Sequence, residues 1–242
     1  MSLQETKSNI KLILVDTNKD VITAWQTAFS SCSRQVDIVE GDFRKLDQYD
    51  CLVSPANSFG IMDGGIDLVI CHHFGWDLMA RVQQEILREW CGQQPVGSCL
   101  LVPTGNVEHP WLAHSPTMRT PQTIAGTENI YYALWATLVA VQRHNFVQDG
   151  TRIIRTIACP GLGTGVGQVA PEECARQMLL AWTHFHQKRQ LPPPPSALST
   201  GIRLFDSENS SWSIKPVSWQ YLIGWEEAYA ITNEIASCAA GK

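Results

Sequence analysis

The sequence predicts an α/β domain: a mixed, mostly parallel sheet between two layers of helices. Three observations carry that expectation. Short aliphatic runs alternate with stretches of helical spacing, as strand–helix–strand units do. The runs are mostly aliphatic and β-branched, without strict polar alternation, which suits strands covered on both faces. Two of them end in glycine-rich turns placed just before a helix start.

In chain order, Ile10–Val15 reads as a buried strand ending at Asp16, followed by a helix over about Asp20–Phe29 and a second strand at Val36–Val39. Cys51–Val53 is a short strand that stops at Ser54-Pro55-Ala56-Asn57. Leu78, Val82, Ile86 and Trp90 lie four apart and predict a helix over Asp77–Trp90. Ser98–Val102 reads as a strand, and Tyr131, Leu134, Trp135, Leu138 and Val141 predict a further helix. Ile153–Ala158 reads as the last strand. After it come four glycines in seven residues, Gly161 to Gly167, and then a helix start at Pro171-Glu172-Glu173 with apolar Cys174, Met178, Trp182 and Phe185. The aromatic residues Trp90, Trp135 and Trp182 lie on helix faces and are expected in the core. Residues 1–190 therefore form the expected domain. Four prolines at 192–195 break regular structure, and a Trp-rich extension with a possible helix over Glu226–Cys238 is expected to pack on that domain.

Composition narrows the function. Lys and Arg number 18 against 23 Asp and Glu, a net charge of -5, which argues against a duplex nucleic-acid binder. The same balance leaves room for a pocket that holds one small anion on backbone N–H groups. The eight cysteines are scattered and form no CxxC pair, which fits neither a disulfide framework nor a structural zinc site. His72-His73 and the His184/His186 pair lack further ligands at metal-binding spacing, so no metal and no cofactor is expected. No secretory leader and no run of membrane-spanning length is visible, and the expectation is a reduced, cytoplasmic protein without a membrane partner. A GxSxG elbow is absent, and Cys71 beside His72 is not a catalytic dyad.

Three segments carry chemistry. Gly161-Leu162-Gly163-Thr164-Gly165-Val166-Gly167 follows a strand and precedes a helix, the geometry in which converging N–H groups bind phosphate. It is neither a Walker loop, since Gln168-Val169 stands where Lys-Ser/Thr belongs, nor a GxGxxG fingerprint. Ser54 to Asp67 combines Asn57, Ser58, Asp63 and Asp67 with Gly60, Gly64 and Gly65. An amide there can grip sugar hydroxyls and a carboxylate can orient water, but Asn57 and Asp67 fit turn and cap roles equally. In Glu40-Gly41-Asp42-Phe43, Asp42 is placed either to accept from an exocyclic amine or to cap a turn.

Together these segments, in this order, resemble the macrodomain, an α/β/α module that binds ADP-ribose. Gly41-Asp42-Phe43 is similar to the family's Gly-Asp-Ile/Leu turn, Ser54-Pro55-Ala56-Asn57 to its Asn-Ala-Ala-Asn, and Asp63-Gly64-Gly65-Ile66-Asp67 to its Gly-Gly-Gly-Val/Ile-Asp. Gly161–Gly167 resembles its second, phosphate-cradling loop. The resemblance implies that Asp42 and Phe43 meet the adenine and that Asn57, beside Ser58, holds the distal ribose. Gly64, Gly65 and Ile66 would line the first loop, with Gly161, Gly163, Thr164, Gly165, Val166 and Gly167 wrapping the phosphates opposite. Asn57 and Asp67 would be catalytic, with Asp67 orienting water at the anomeric carbon. The implied partner is ADP-ribose, or a protein carrying it. Hydrolysis at the distal ribose, binding without turnover, and a repurposed nucleotide or interaction module all follow from the same resemblance. The chain departs from the family at Ser54, Pro55 and Asp63, has Cys71 in place of a frequent histidine, and lacks the aromatic near the end of the second loop.

Overall fold

A computed structural model describes residues 10–147 and 153–187. The Pro-rich run, the Trp-rich extension and the helix expected over 226–238 lie outside the described residues.

Six strands form one sheet: β1 (Lys11–Asp16), β2 (Val36–Glu40), β3 (Cys51–Ser54), β4 (Leu100–Pro103), β5 (Trp111–His114) and β6 (Thr156–Cys159). Their order is β2-β1-β6-β3-β5-β4, and every pair is parallel except the edge pair β4–β5. Five helices connect them: α1 (Lys19–Ala28), α2 (Gly65–Phe74), α3 (Asp77–Trp90), α4 (Asn129–Val147) and α5 (Pro171–His186). This is the three-layer α/β architecture expected from the strand–helix alternation.

The two layers follow from side-chain alternation along the strands. Leu12 and Leu14 of β1, Val53 of β3 and Ile157 of β6 face one side, where they pack with Trp25 of α1, Leu134 and Leu138 of α4, and Met178 and Trp182 of α5. Ile13, Val15, Leu52, Leu112 and Ala158 face the other side, against Ile70 of α2 and Leu78, Val82 and Ile86 of α3. Both faces of the central strands are buried, which is why those strands carry no polar alternation.

Two expectations are corrected. Trp90 is not in the core: it is 36% exposed, whereas Leu78, Val82 and Ile86 are buried. Steps of four drift about 40° each on a helix of 3.6 residues per turn, so the third step has left the buried face. The last strand begins at Thr156 rather than Ile153, because the preceding backbone is committed elsewhere. Asn145 brackets Ile154, taking its N–H on Oδ1 and donating Nδ2 to its carbonyl, both at 2.8 Å. The Asp50 carboxylate accepts from the N–H groups of Arg155 and Thr156. The sequence reading also passes over β5, four residues that bring His114 level with Ser54.

Candidate functional site

The parallel strands β1, β3 and β6 end at one edge of the sheet, and a cleft of about 410 Å³ opens there. Such a crevice at the carboxyl ends of parallel strands is where α/β folds place their ligands.

One wall is the segment from Pro55 to Asp67. Asn57, Gly64, Gly65, Ile66 and Asp67 all line the cleft. Gly64 is the N-cap of α2, and among the described residues no heavy atom beyond the adjoining backbone lies within 4 Å of the position a Cβ would take on Gly64 or Gly65. Gly65 has φ +56°, a conformation that glycine adopts without strain. The first turn of α2 therefore presents its unpaired N–H groups and positive dipole end to open space, a site suited to an anion.

Asp67 sits in that first turn and is buried, 7% exposed. Its Oδ1 accepts from Ser54 Oγ at 2.7 Å. Burial pushes its carboxyl up to about 6, with the Ser54 hydroxyl opposing the rise. Asn57 lines the same wall, but its amide is engaged by its own loop. Nδ2 donates to the Ile61 carbonyl at 2.7 Å, and Oδ1 accepts from the N–H groups of Phe59 and Ile61 at 3.0 and 3.3 Å. Its turn role is thus present in the fold.

The opposite wall is Gly161, Gly163, Thr164, Gly165, Val166 and Gly167. This loop is closed by backbone bonds from Val169 N–H to Gly163 O and from Gln168 N–H to Gly165 O. α5 starts only at Pro171, beyond the residues lining the cleft. A helix N-terminus lines the cleft from the facing wall, at α2.

The remaining expected site residues lie elsewhere. Asp42 does not line the cleft: its carboxylate is gripped by Arg44 through Nε and a second guanidinium nitrogen and caps the Arg44 N–H at 2.9 Å. The Arg44 hydrogen bond holds that carboxyl below its ordinary range. Phe43 is buried beneath the turn, edge-on to His73. Ser58 is buried, its N–H donating to Arg119 O and its carbonyl accepting from Gln94. A glycine-rich pattern finds backbone walls, but it does not report such local side-chain engagements.

Two contributors were missed. Asp16, at the end of β1, lines the cleft and accepts from the N–H groups of Gly161 at 3.0 Å and Asn18 at 2.8 Å, tying β1 to the second loop. Its place at a strand's carboxyl end was a usable signal. The segment 115–128 supplies Met118 and Pro121 and bridges both walls: Thr117 N–H bonds Ala56 O, and Ile124 N–H bonds Gly167 O. No local motif marks it, because its role arises from contacts distant in sequence. Among the described residues no cluster of three or more His, Cys, Asp or Glu is arranged to hold a metal, and no helix is long and apolar enough to cross a membrane.

Comparison with known proteins agrees with this architecture. A protein of uncharacterised function from Aquifex aeolicus is 33% identical over 155 residues, covering 63% of this chain and 84% of its own. Another from Aeropyrum pernix is 27% identical over 148 residues, covering 61% and 70%. A macrodomain of Oceanobacillus iheyensis solved with ADP shares the fold at 21% identity and a TM-score of 0.51, covering 62% of this chain and 75% of that one. A mutant of the same domain solved with ADPR matches at 18% identity and a TM-score of 0.52, covering 75% and 81%. The Macro domain family model matches residues 53–178, from β3 into α5, leaving β1 and its cleft residue Asp16 outside the matched stretch. That match spans more than half of the sequence, and the chain belongs to the macrodomain family.

Proposed function

We propose that the cleft binds ADP-ribose or a derivative and that the protein hydrolyses a bond at the distal ribose: an ADP-ribosyl ester, a 1″-phosphate or an O-acetyl ester. The observation that carries the proposal is the placing of Asp67 in the first turn of α2, across one cleft from the 161–167 loop. The diphosphate lies between the two walls on neutral backbone donors, so it is no obstacle that no Lys, Arg or His is among the described residues of the lining. The distal ribose reaches Asp67, whose carboxylate accepts a proton from water as the water attacks. Most of the rate enhancement comes from holding ribose and water in register. That the Oceanobacillus domain was solved with ADP and with ADPR supports the choice of nucleotide.

A reader that binds without turnover is the second reading, and the engagement of the Asn57 amide favours it. Release of ADP-ribose from an ester-linked protein separates the two. A hydrolase loses release in Asp67→Ala, whereas background release from wild type and variant alike leaves a reader.

A further inference from the structure

Ser54 closes β3, and in the sequence it figures only as a departure from the family's asparagine. In the structure it is completely buried, with its hydroxyl donating to Asp67 Oδ1 at 2.7 Å. Among the described residues no other donor reaches that carboxylate. We propose that Ser54 is the positioning residue of the cleft: its hydroxyl pins Oδ1 of Asp67 and leaves Oδ2 for the ligand and the attacking water. The inference rests on Asp67 as the group that activates water.

Two features of the fold make the pair specific. Ser54 is fixed by the sheet itself, since its carbonyl accepts from Ser115 N–H and β5 runs level with it. Asp67 is fixed by α2, so the hydrogen bond joins two rigid elements and sets the carboxylate's rotation. The surroundings supply no substitute for the hydroxyl. Cys71, one turn further along α2, is buried with its thiol pushed up, first by that burial and then by Asp67 itself. His114 stands across from Ser54 on β5, and its ring is locked. Gln94 Nε2 donates to the His114 carbonyl, which turns Oε1 toward Nδ1 at 2.7 Å. Nδ1 therefore carries the hydrogen. Nε2 is a buried acceptor that no described residue meets, and burial keeps the ring neutral down to about 3. On the cleft side stand Asp16 and Asp63, both acidic. No cation faces Asp67 from these elements, and the Ser54 hydroxyl is what offsets the cost of its charge.

The test is a carboxyl-carbon NMR titration of the full chain, with the Asp67 signal assigned by its loss in Asp67→Asn. Ser54→Ala is expected to raise the Asp67 midpoint by about one pH unit, the worth of one hydrogen bond to a charged group. The pH of half-maximal ADP-ribose release is expected to move by the same amount, with kcat reduced and KM held. Ser54→Cys, a weaker donor of similar size, is expected to fall between the two. An Asp67 midpoint that is the same in wild type and both variants would overturn the proposal. If wild type releases no ADP-ribose at any pH, the hydrolase reading fails, while the carboxyl titration still decides whether Ser54 governs Asp67.

Discussion

The two walls of the cleft use glycine in opposite ways. In the first, Gly64 and Gly65 have no neighbour where a Cβ would stand, and the loop's shape is held by side chains: Asn57 stapling Phe59 and Ile61, and Ser54 holding Asp67. In the second, shape is held by the backbone, and most glycines are there because nothing larger fits. A Cβ on Gly167 would lie 2.5 Å from Gly163 O, and one on Gly163 (φ +69°) 2.9 Å from Ile124 Cδ1. Gly165 alone of that loop's four glycines looks onto open space. Gly64 and Gly65 in the first wall keep room for a ligand, whereas Gly161, Gly163 and Gly167 in the second, like Gly60 behind the first, keep the chain folded. Stability and binding should therefore separate cleanly by position.

The largest effect is expected at the one carboxylate placed for chemistry. Asp67→Ala should lower ester release by on the order of 100- to 10,000-fold while ADP-ribose still binds, as single-turnover release and calorimetry would show together. Equal losses of binding and release would mean that Asp67 is a contact rather than a base.

Next comes the contrast between glycines. Gly167→Ala should cost about 1–3 kcal/mol in urea unfolding, because the added methyl overpacks a closed loop. Gly64→Ala and Gly165→Ala should stay within about 0.5 kcal/mol of wild type yet weaken ADP-ribose. A Gly64→Ala protein that unfolds early and binds normally would invert the comparison.

Third is pH. The folded-state pKa of Asp67 is raised, so between about 4 and 6 the native protein holds a proton that the unfolded chain has released. Its contribution to stability is thus fully lost above about 6, and stability falls as pH rises through that window, by up to about 3 kcal/mol. Catalysis runs the other way, because the base must be ionised: release should rise through about pH 6. Asp67→Asn should flatten both curves and be the more stable protein at neutral pH, as thermal melts across pH would report.

The smallest effect is expected at Asn57. Asn57→Ala removes three hydrogen bonds from a part-buried loop and should cost about 1–2 kcal/mol, with affinity falling as the loop loosens. A loss of affinity with no change in stability would show that the amide serves the ligand rather than the loop.

Much of the fold was legible because it rests on burial. β1 and α3 announce themselves through runs and spacings that a two-sided core demands. β5 did not, because four residues between Pro110 and Ser115-Pro116 are too few to show a period, and one of its two partner strands, β3, lies some 60 residues earlier. In the site, the glycines of both walls were legible, since backbone walls require glycine wherever the chain sits. The 115–128 segment was not, because its place in the cleft depends on strands that meet only in the folded sheet, and Asp16 was legible only as the end of a strand, not as a neighbour of Gly161. The capture of Asp42 by Arg44 was equally hidden, although the two are only two residues apart: sequence spacing does not say which partner a carboxylate takes.

The most direct test of the central claim is a calorimetric titration of the full chain with ADP-ribose. The account predicts saturable one-to-one heat that is retained in Asp67→Ala and diminished in Gly64→Ala. No heat from wild type at ligand concentrations on the order of 1 mM would contradict it.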